Sequence, residues 1–214
     1  EKGGHKHFMH KEIHEQPRAI VDTLRGRISD TSDVNLPPEL LDVVAKADRI
    51  MLTACGTSWH ACLVGRLALE ELARMGCEVE LASELRYRHP LMGPNSVTIA
   101  VSQSGETADT LAAIKEAKRL GSPVVALVNV LDSSIAREAD YTVYTHAGPE
   151  IGVASTKAFI TQVAALLLLA VGVGRRRSLA PERALALIEQ LRRIPLQIES
   201  IIKNEQRIVD IAHN

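Results

Sequence analysis

VTIAVSQSGETADTL, residues 97–111, passes from an apolar strand pattern through a hydroxyl-rich turn into a helical pattern. The run Val97 to Val101 reads as a strand. Ser102-Gln103-Ser104-Gly105-Glu106-Thr107 is the turn, and the apolar spacing from Thr107 to Leu120 reads as a helix stopped by Gly121. A helix start offers backbone N–H groups without intrahelical partners, and a hydroxyl-rich turn adds neutral donors to them. No lysine or arginine lies in the turn. A turn plus a helix cap needs one or two hydroxyls. Here Ser102, Ser104, Thr107 and the amide of Gln103 fall within six residues. These residue types point to a phosphate held by uncharged donors.

The same alternation extends on both sides. Upstream, Arg49–Ala54 reads as a strand, Ser58–Met75 as a helix stopped by Gly76, Glu78–Ala82 as a second strand and Glu84–Tyr87 as a short helix. Downstream, Val124–Val128 and Tyr141–Tyr144 read as strands around a short helix at Ser133–Glu138. Ser155–Val171 reads as a very apolar helix. Strands apolar on both faces and separated by helices indicate a parallel sheet covered on both sides. The expected fold class is α/β: a three-layer αβα sandwich with a five-stranded parallel sheet, plus N- and C-terminal helices. Ligands in such sheets bind outside the carboxyl ends of the strands.

The expected organisation has three parts. Residues 1–36 form a helical lead-in, with a helix at Met9–Leu24 that Pro17 should bend or split. Residues 37–178 form the sandwich, opened by a helix that Pro37-Pro38 starts. Residues 179–214 read as two helices hinged at Pro195. Leu187, Leu191, Leu196, Ile198, Ile201, Ile202, Ile208 and Ile211 are too many apolar positions for a free helix, so this tail must pack on something. The chain stops as though cut from a longer protein.

Composition narrows the function classes. The 214 residues carry a net charge of -1, which argues against nucleic acid or anionic lipid as partner. Aromatic residues are only 3%, too few for base-stacking platforms. Cys55, Cys62 and Cys77 are odd in number and form no CxxC, so they read as reduced, buried thiols of a cytoplasmic protein. No signal peptide is visible. The apolar stretch Ala158–Gly174 is interrupted by Thr161, Gln162 and Gly172, and reads as a buried helix rather than a membrane span. GxGxxG is absent, which excludes the dinucleotide-binding pattern. No cofactor and no metal is expected. His10 and His14 have the i, i+4 spacing of a ligand pair, but the spacing reveals no third ligand, and a solvated helix face is the expectation.

Two further loops accompany the serine-rich turn. In Cys55-Gly56-Thr57-Ser58, Gly56 permits a tight turn, and Thr57 and Ser58 offer hydroxyls to a ligand or, for Ser58, a helix cap. In Glu150-Ile151-Gly152-Val153-Ala154-Ser155-Thr156-Lys157, Ser155 is the expected N-cap. Lys157 opposes the helix dipole there, which leaves a role beyond that helix open, with a plain surface residue as the preferred expectation.

Taken together these loops resemble the sugar isomerase (SIS) domain. The stretches HFMHKEIHEQP at 7–17, CGTS at 55–58, SQSGETADTL at 102–111 and EIGVASTKAF at 150–159 resemble, in order, the first SIS domain of the glutamine–fructose-6-phosphate aminotransferases. That resemblance implies a domain that binds fructose 6-phosphate and glucosamine 6-phosphate. It implies substrate contacts at Thr57, Ser58, Ser102, Gln103, Ser104, Thr107, Val153 and Ser155. The phosphate would lie on Ser102, Ser104 and Thr107, and the CGTS and VAS loops would touch the sugar. The family's glutaminase cysteine, Schiff-base lysine and proton-moving groups match nothing here, so no catalytic residue is expected in this chain. A homodimer through SIS domains is implied as well. A stand-alone sugar-phosphate isomerase and a sugar-phosphate-sensing regulator are the competing readings. The first fits the EQP and VASTKAF stretches poorly, and the second lacks room for a DNA-binding element in residues 1–36.

Overall fold

The computed structural model describes residues 2–31 and 33–213. Five strands form the sheet: β1 (Arg49–Ala54), β2 (Gly76–Leu81), β3 (Ser96–Ser102), β4 (Val124–Val128) and β5 (Tyr141–Tyr144). Their order is β2-β1-β3-β4-β5, and every neighbouring pair is parallel. β3 and β4 are buried along their whole length, as strands covered on both faces must be.

The two-residue period of the strands divides the core between the faces. Ile50, Leu52, Val97, Ile99, Val125 and Leu127 meet the helices α2 (Pro38–Lys46), α3 (Gly56–Ala68) and α7 (Lys157–Arg177) on one side. Ala100, Val124, Ala126 and Val128 meet α5 (Ala108–Arg119) and α6 (Ser134–Glu138) on the other, where Met51 packs on α4 (Ala82–Leu85). A fourth layer lies outside α7. There α1 (Phe8–Leu24) and α8 (Pro181–Ile202) pack Ile20, Leu24, Leu191 and Ile198 against Ala164 and Leu168. So α7 is covered on both sides. That explains a helix long and apolar enough to cross a membrane yet mostly buried inside the protein.

Several element boundaries differ from the sequence reading. Pro17 does not split α1, which runs through it. An interior proline costs about 3 kcal/mol. Burial of Ile20 and Leu24 contributes about 1.5–3 kcal/mol each, which outweighs that cost. The same holds for α8: it continues through Pro195, flanked by buried Leu191 and Ile198, and the break before α9 (Glu205–Ala212) falls at Lys203-Asn204. α7 begins at Lys157 and passes Gly172 and Gly174 to reach Arg177. These glycines are contact points. A Cβ at Gly174 would come within 2.6 Å of the Leu72 carbonyl oxygen, and one at Gly172 within 2.9 Å of Leu41. α3 starts at Gly56 and continues through a π-helical turn, Leu69–Ala73, ended by left-handed Arg74 rather than by Gly76. The tail packs only in part. Ala184, Ile188, Leu191 and Ile198 are buried, whereas Leu196, Ile201, Ile208 and Ile211 are exposed.

Candidate functional site

The carboxyl ends of β1 and β3 lie side by side, with Thr53 paired to Ala100. The chain leaves β1 towards β2 on one flank and later returns to β3 on the other. That is the switch point where open α/β sheets leave a crevice for a ligand. The strand β1 feeds α3 through Cys55, and β3 feeds α5 through the 102–107 turn. Among the described residues, no side chain caps the N-terminus of either helix. Two sets of first-turn N–H groups, each carrying about half a positive charge from the helix dipole, therefore face the same end of the sheet.

The turn is held in shape from within and from behind. Ser102 is buried, and its Oγ accepts the Gly105 N–H at 3.0 Å and lies 3.1 Å from Thr107 Oγ1. Ser104 Oγ accepts the Glu106 N–H at 3.1 Å and keeps its own proton to donate. Gly105 has φ +67°, and a Cβ there would overlap Ser133. Only glycine satisfies both conditions. Behind the turn, the Gly105 carbonyl accepts from Ile135 N at 2.9 Å, and Glu106 Oε1 accepts from Ser134 N at 2.8 Å. Hydrogen bonding from Ser134 holds the Glu106 carboxyl below its usual range. Glu106 thus faces the start of α6, a role its sequence position did not reveal. Gln103 is half-buried beside a cleft it shares with Asn129, His146 and Glu150.

In the first loop, Thr57 is exposed on the opening turn of α3. Ser58 does not cap that helix, because α3 has already begun at Gly56. Its buried hydroxyl accepts from Gln162 Nε2 of α7 at 3.0 Å. Gln162 Oε1 and Thr53 Oγ1 are buried without a hydrogen-bond partner among the described residues.

The third loop departs most from expectation. Ser155 is not the N-cap of α7; it donates to Glu150 Oε2 at 2.9 Å. Glu150 Oε1 accepts the Thr156 and Ala158 N–H groups at 2.9 and 3.2 Å, so a carboxylate five or more residues upstream takes the capping role. Its negative charge occupies the positive end of α7. That end is therefore occupied by a carboxylate, while among the described residues no side-chain cap occupies the α3 and α5 ends. Val153 is fully exposed at the loop tip. The base of the loop is tied to α1: Glu12, buried, accepts the Ile151 N–H at 2.6 Å and the Gly152 N–H at 3.1 Å. A Cβ at Gly152 would lie 2.5 Å from Glu12 Oε2. Lys157 is not a surface residue. It is 3% exposed and donates to Glu15 Oε2 at 2.6 Å. Partial burial pushes the Glu15 carboxyl up, but hydrogen bonds and charge from Lys157 and Lys11 overcome this and hold it below the usual carboxylate range.

The cysteines are free. Burial raises the thiol of Cys62, and burial with the nearby Glu70 charge pushes Cys77 up to about 12, so both are inert at neutral pH. The histidine pair of α1 has the third neighbour that spacing hid: His5 joins His10 and His14.

Comparison with known proteins adds three findings. The SIS domain family matches residues 44–172. The chain is 48% identical to a glutamine–fructose-6-phosphate aminotransferase (isomerizing) of Caldanaerobacter subterraneus subsp. tengcongensis, over 99% of this chain and 35% of the relative. It is 49% identical to the enzyme of that name from Symbiobacterium thermophilum, over 99% of this chain and 36% of the relative. It thus spans about a third of the length of these relatives. The C-terminal domain of glucosamine-fructose-6-phosphate aminotransferase from Francisella tularensis superimposes with a TM-score of 0.94 at 36% identity, over 100% of this chain and 60% of that one.

Proposed function

The chain belongs to the SIS domain family, and from that premise we propose that it is the phosphosugar-binding, isomerase-half domain of a glutamine-dependent fructose-6-phosphate aminotransferase. Such an enzyme makes glucosamine 6-phosphate from fructose 6-phosphate and glutamine. The observation that carries the reading is the pair of helix N-termini without side-chain caps at the ends of adjoining strands β1 and β3, with the hydroxyls of Ser102, Ser104 and Thr107 between strand and helix. Anions bind such termini through N–H groups and dipole together.

Ser102, Ser104 and Thr107 hold the phosphate in this reading. Thr57, Ser58, Gln103, Val153 and Ser155 line the sugar. Because the Ser155 proton is committed to Glu150, Ser155 offers the sugar its remaining acceptor capacity or its backbone. The chain binds ligand and turns nothing over by itself. It works in the cytoplasm as part of a homodimer, for which the exposed Leu196, Ile201, Ile208 and Ile211 supply apolar surface.

Calorimetric titration of the chain with glucosamine 6-phosphate tests this. Binding is expected with the phosphorylated sugar and not with glucosamine. The S102A/S104A variant should lose about 1–3 kcal/mol per removed donor. Equal affinity of the variant and the parent chain rejects the phosphate assignment. Formation of glucosamine 6-phosphate from fructose 6-phosphate and ammonia by this chain rejects the claim that it lacks turnover.

A further inference from the structure

Three imidazoles meet at the start of α1. His5 lies in the turn that precedes the helix, and His10 and His14 follow on successive turns. Their ring centroids are 4.6–5.0 Å apart. One ligand atom from each ring lies within 4.8 Å of the others. His5 Nδ1 and His10 Nδ1 are 3.2 Å apart. On the other side, Glu205 Oε2, at the first residue of α9, lies 3.1 Å from His10 Nε2 and 3.3 Å from His14 Nε2. Tetrahedral zinc with bonds of about 2.0–2.1 Å places its ligand atoms roughly 3.3 Å from one another. The spacings from Glu205 to His10 Nε2 and His14 Nε2 are close to that. The His5 contact runs to the other nitrogen of His10, so a single ion requires the His5 ring to move towards the Nε2 side, within the 4.8 Å that separates the three ligand atoms.

A second observation concerns tautomers. His14 Nδ1 lies 2.9 Å from the carbonyl oxygen of His10. A carbonyl only accepts, so His14 Nδ1 carries a proton, and its Nε2 faces Glu205. Metal-bound imidazoles are oriented by such a hydrogen bond from the ring nitrogen that does not bind. A solvated helix face accounts for His10 and His14 alone. It does not account for His5 arriving from the preceding turn, nor for a carboxylate 195 residues further along the chain reaching the same point.

We propose that His5, His10, His14 and Glu205 form a binding site for a divalent transition-metal ion of the zinc class, which fastens the start of α1 to α9. Three nitrogen donors and one carboxylate suit zinc and its neighbours, whereas calcium and magnesium take oxygen ligands. The site holds four protein ligands, so its role is structural. It joins two segments from opposite ends of the described chain.

The test uses the whole chain, stripped of metal with a chelator. Zinc chloride is titrated calorimetrically, and cobalt(II) is titrated with visible absorption as the readout. The expected result is one ion per chain at micromolar affinity or tighter, with the intense cobalt bands of four-coordinate geometry. H10N/H14N should abolish binding, and E205Q should weaken it about tenfold or more. H89N, at an exposed histidine elsewhere, should bind as the parent does. Zinc should raise the thermal midpoint of the parent and leave that of H10N/H14N unmoved. All four ligands are on the surface or half-buried, and circular dichroism confirms that each variant is folded before titration. Failure to saturate with zinc, binding that survives in H10N/H14N, or E205Q binding at parental strength overturns the proposal.

Discussion

At Gly105, a backbone requirement and a packing requirement coincide. Its φ of +67° costs a side-chain-bearing residue about 1–2 kcal/mol. The overlap of any Cβ with Ser133 adds roughly 1–3 kcal/mol of overpacking. Gly105→Ala is therefore expected to destabilise the chain by about 3 kcal/mol and to weaken phosphosugar binding. The double variant Gly105→Ala/Ser133→Gly should recover the packing part. Urea denaturation of the three proteins separates the two contributions, and a double variant no more stable than the single one argues against the overlap. Lys157 shows the opposite case, a residue whose sequence neighbours mislead. In the first turn of a helix a lysine reads as surface, but its partner Glu15 comes from α1. Lys157→Met should cost about 2 kcal/mol, because Glu15 loses a charged hydrogen bond that burial does not replace. Thermal denaturation at neutral pH measures it.

Among the elements, α7 carries the most information. It is covered by β-sheet and α3 on one side and by α1 and α8 on the other. Its glycines mark where neighbours approach most closely. Alanine is favoured over glycine in a helix by about 1 kcal/mol, yet Gly174→Ala is expected to destabilise by about 2 kcal/mol, because its Cβ would lie 2.6 Å from a backbone carbonyl that cannot rotate away. A stabilising Gly174→Ala would show that this contact relaxes freely. The start of the same helix rests on Glu150. Glu150→Gln keeps the shape and removes the charge facing the dipole, and a loss of about 1 kcal/mol in denaturant unfolding is expected. The strands, α5 and the serine-rich turn were legible because their signals are local: an apolar run, then hydroxyls, then helical spacing. The continuity of α1 and α8 was not. Proline is a local break signal, and what overrode it is burial against helices distant in the chain.

For the whole molecule, the link between α1 and the rest sets a pH response. The Glu15 carboxyl is depressed in the folded protein, so its contribution to stability is complete above the unfolded value near 4.5 and disappears as pH falls through the lower folded value. Other carboxylates titrate in the same range, so the measurement is a difference. Stability of the parent minus that of Glu15→Gln should shrink as pH drops below about 4.5. A difference that stays constant from neutral pH to strongly acidic pH removes the role given to this pair.

Local chemistry alone determined the sheet-and-helix alternation, the placement of loops at strand ends and the hydroxyl-rich turn at residues 102–107. Strand period, turn residues and helix starts are set by residues within a few positions of each other. The fold alone decided which groups support those loops. Glu12 meets Ile151 across 139 positions, Lys157 meets Glu15 across 142, Gln162 meets Ser58 across 104 and Glu205 meets His10 across 195. No spacing rule spans such separations. These pairings exist only because hydrophobic burial brings α1, α3, α7 and α8 to their positions around the sheet, with α9, which buries no residue, carried at the end of α8.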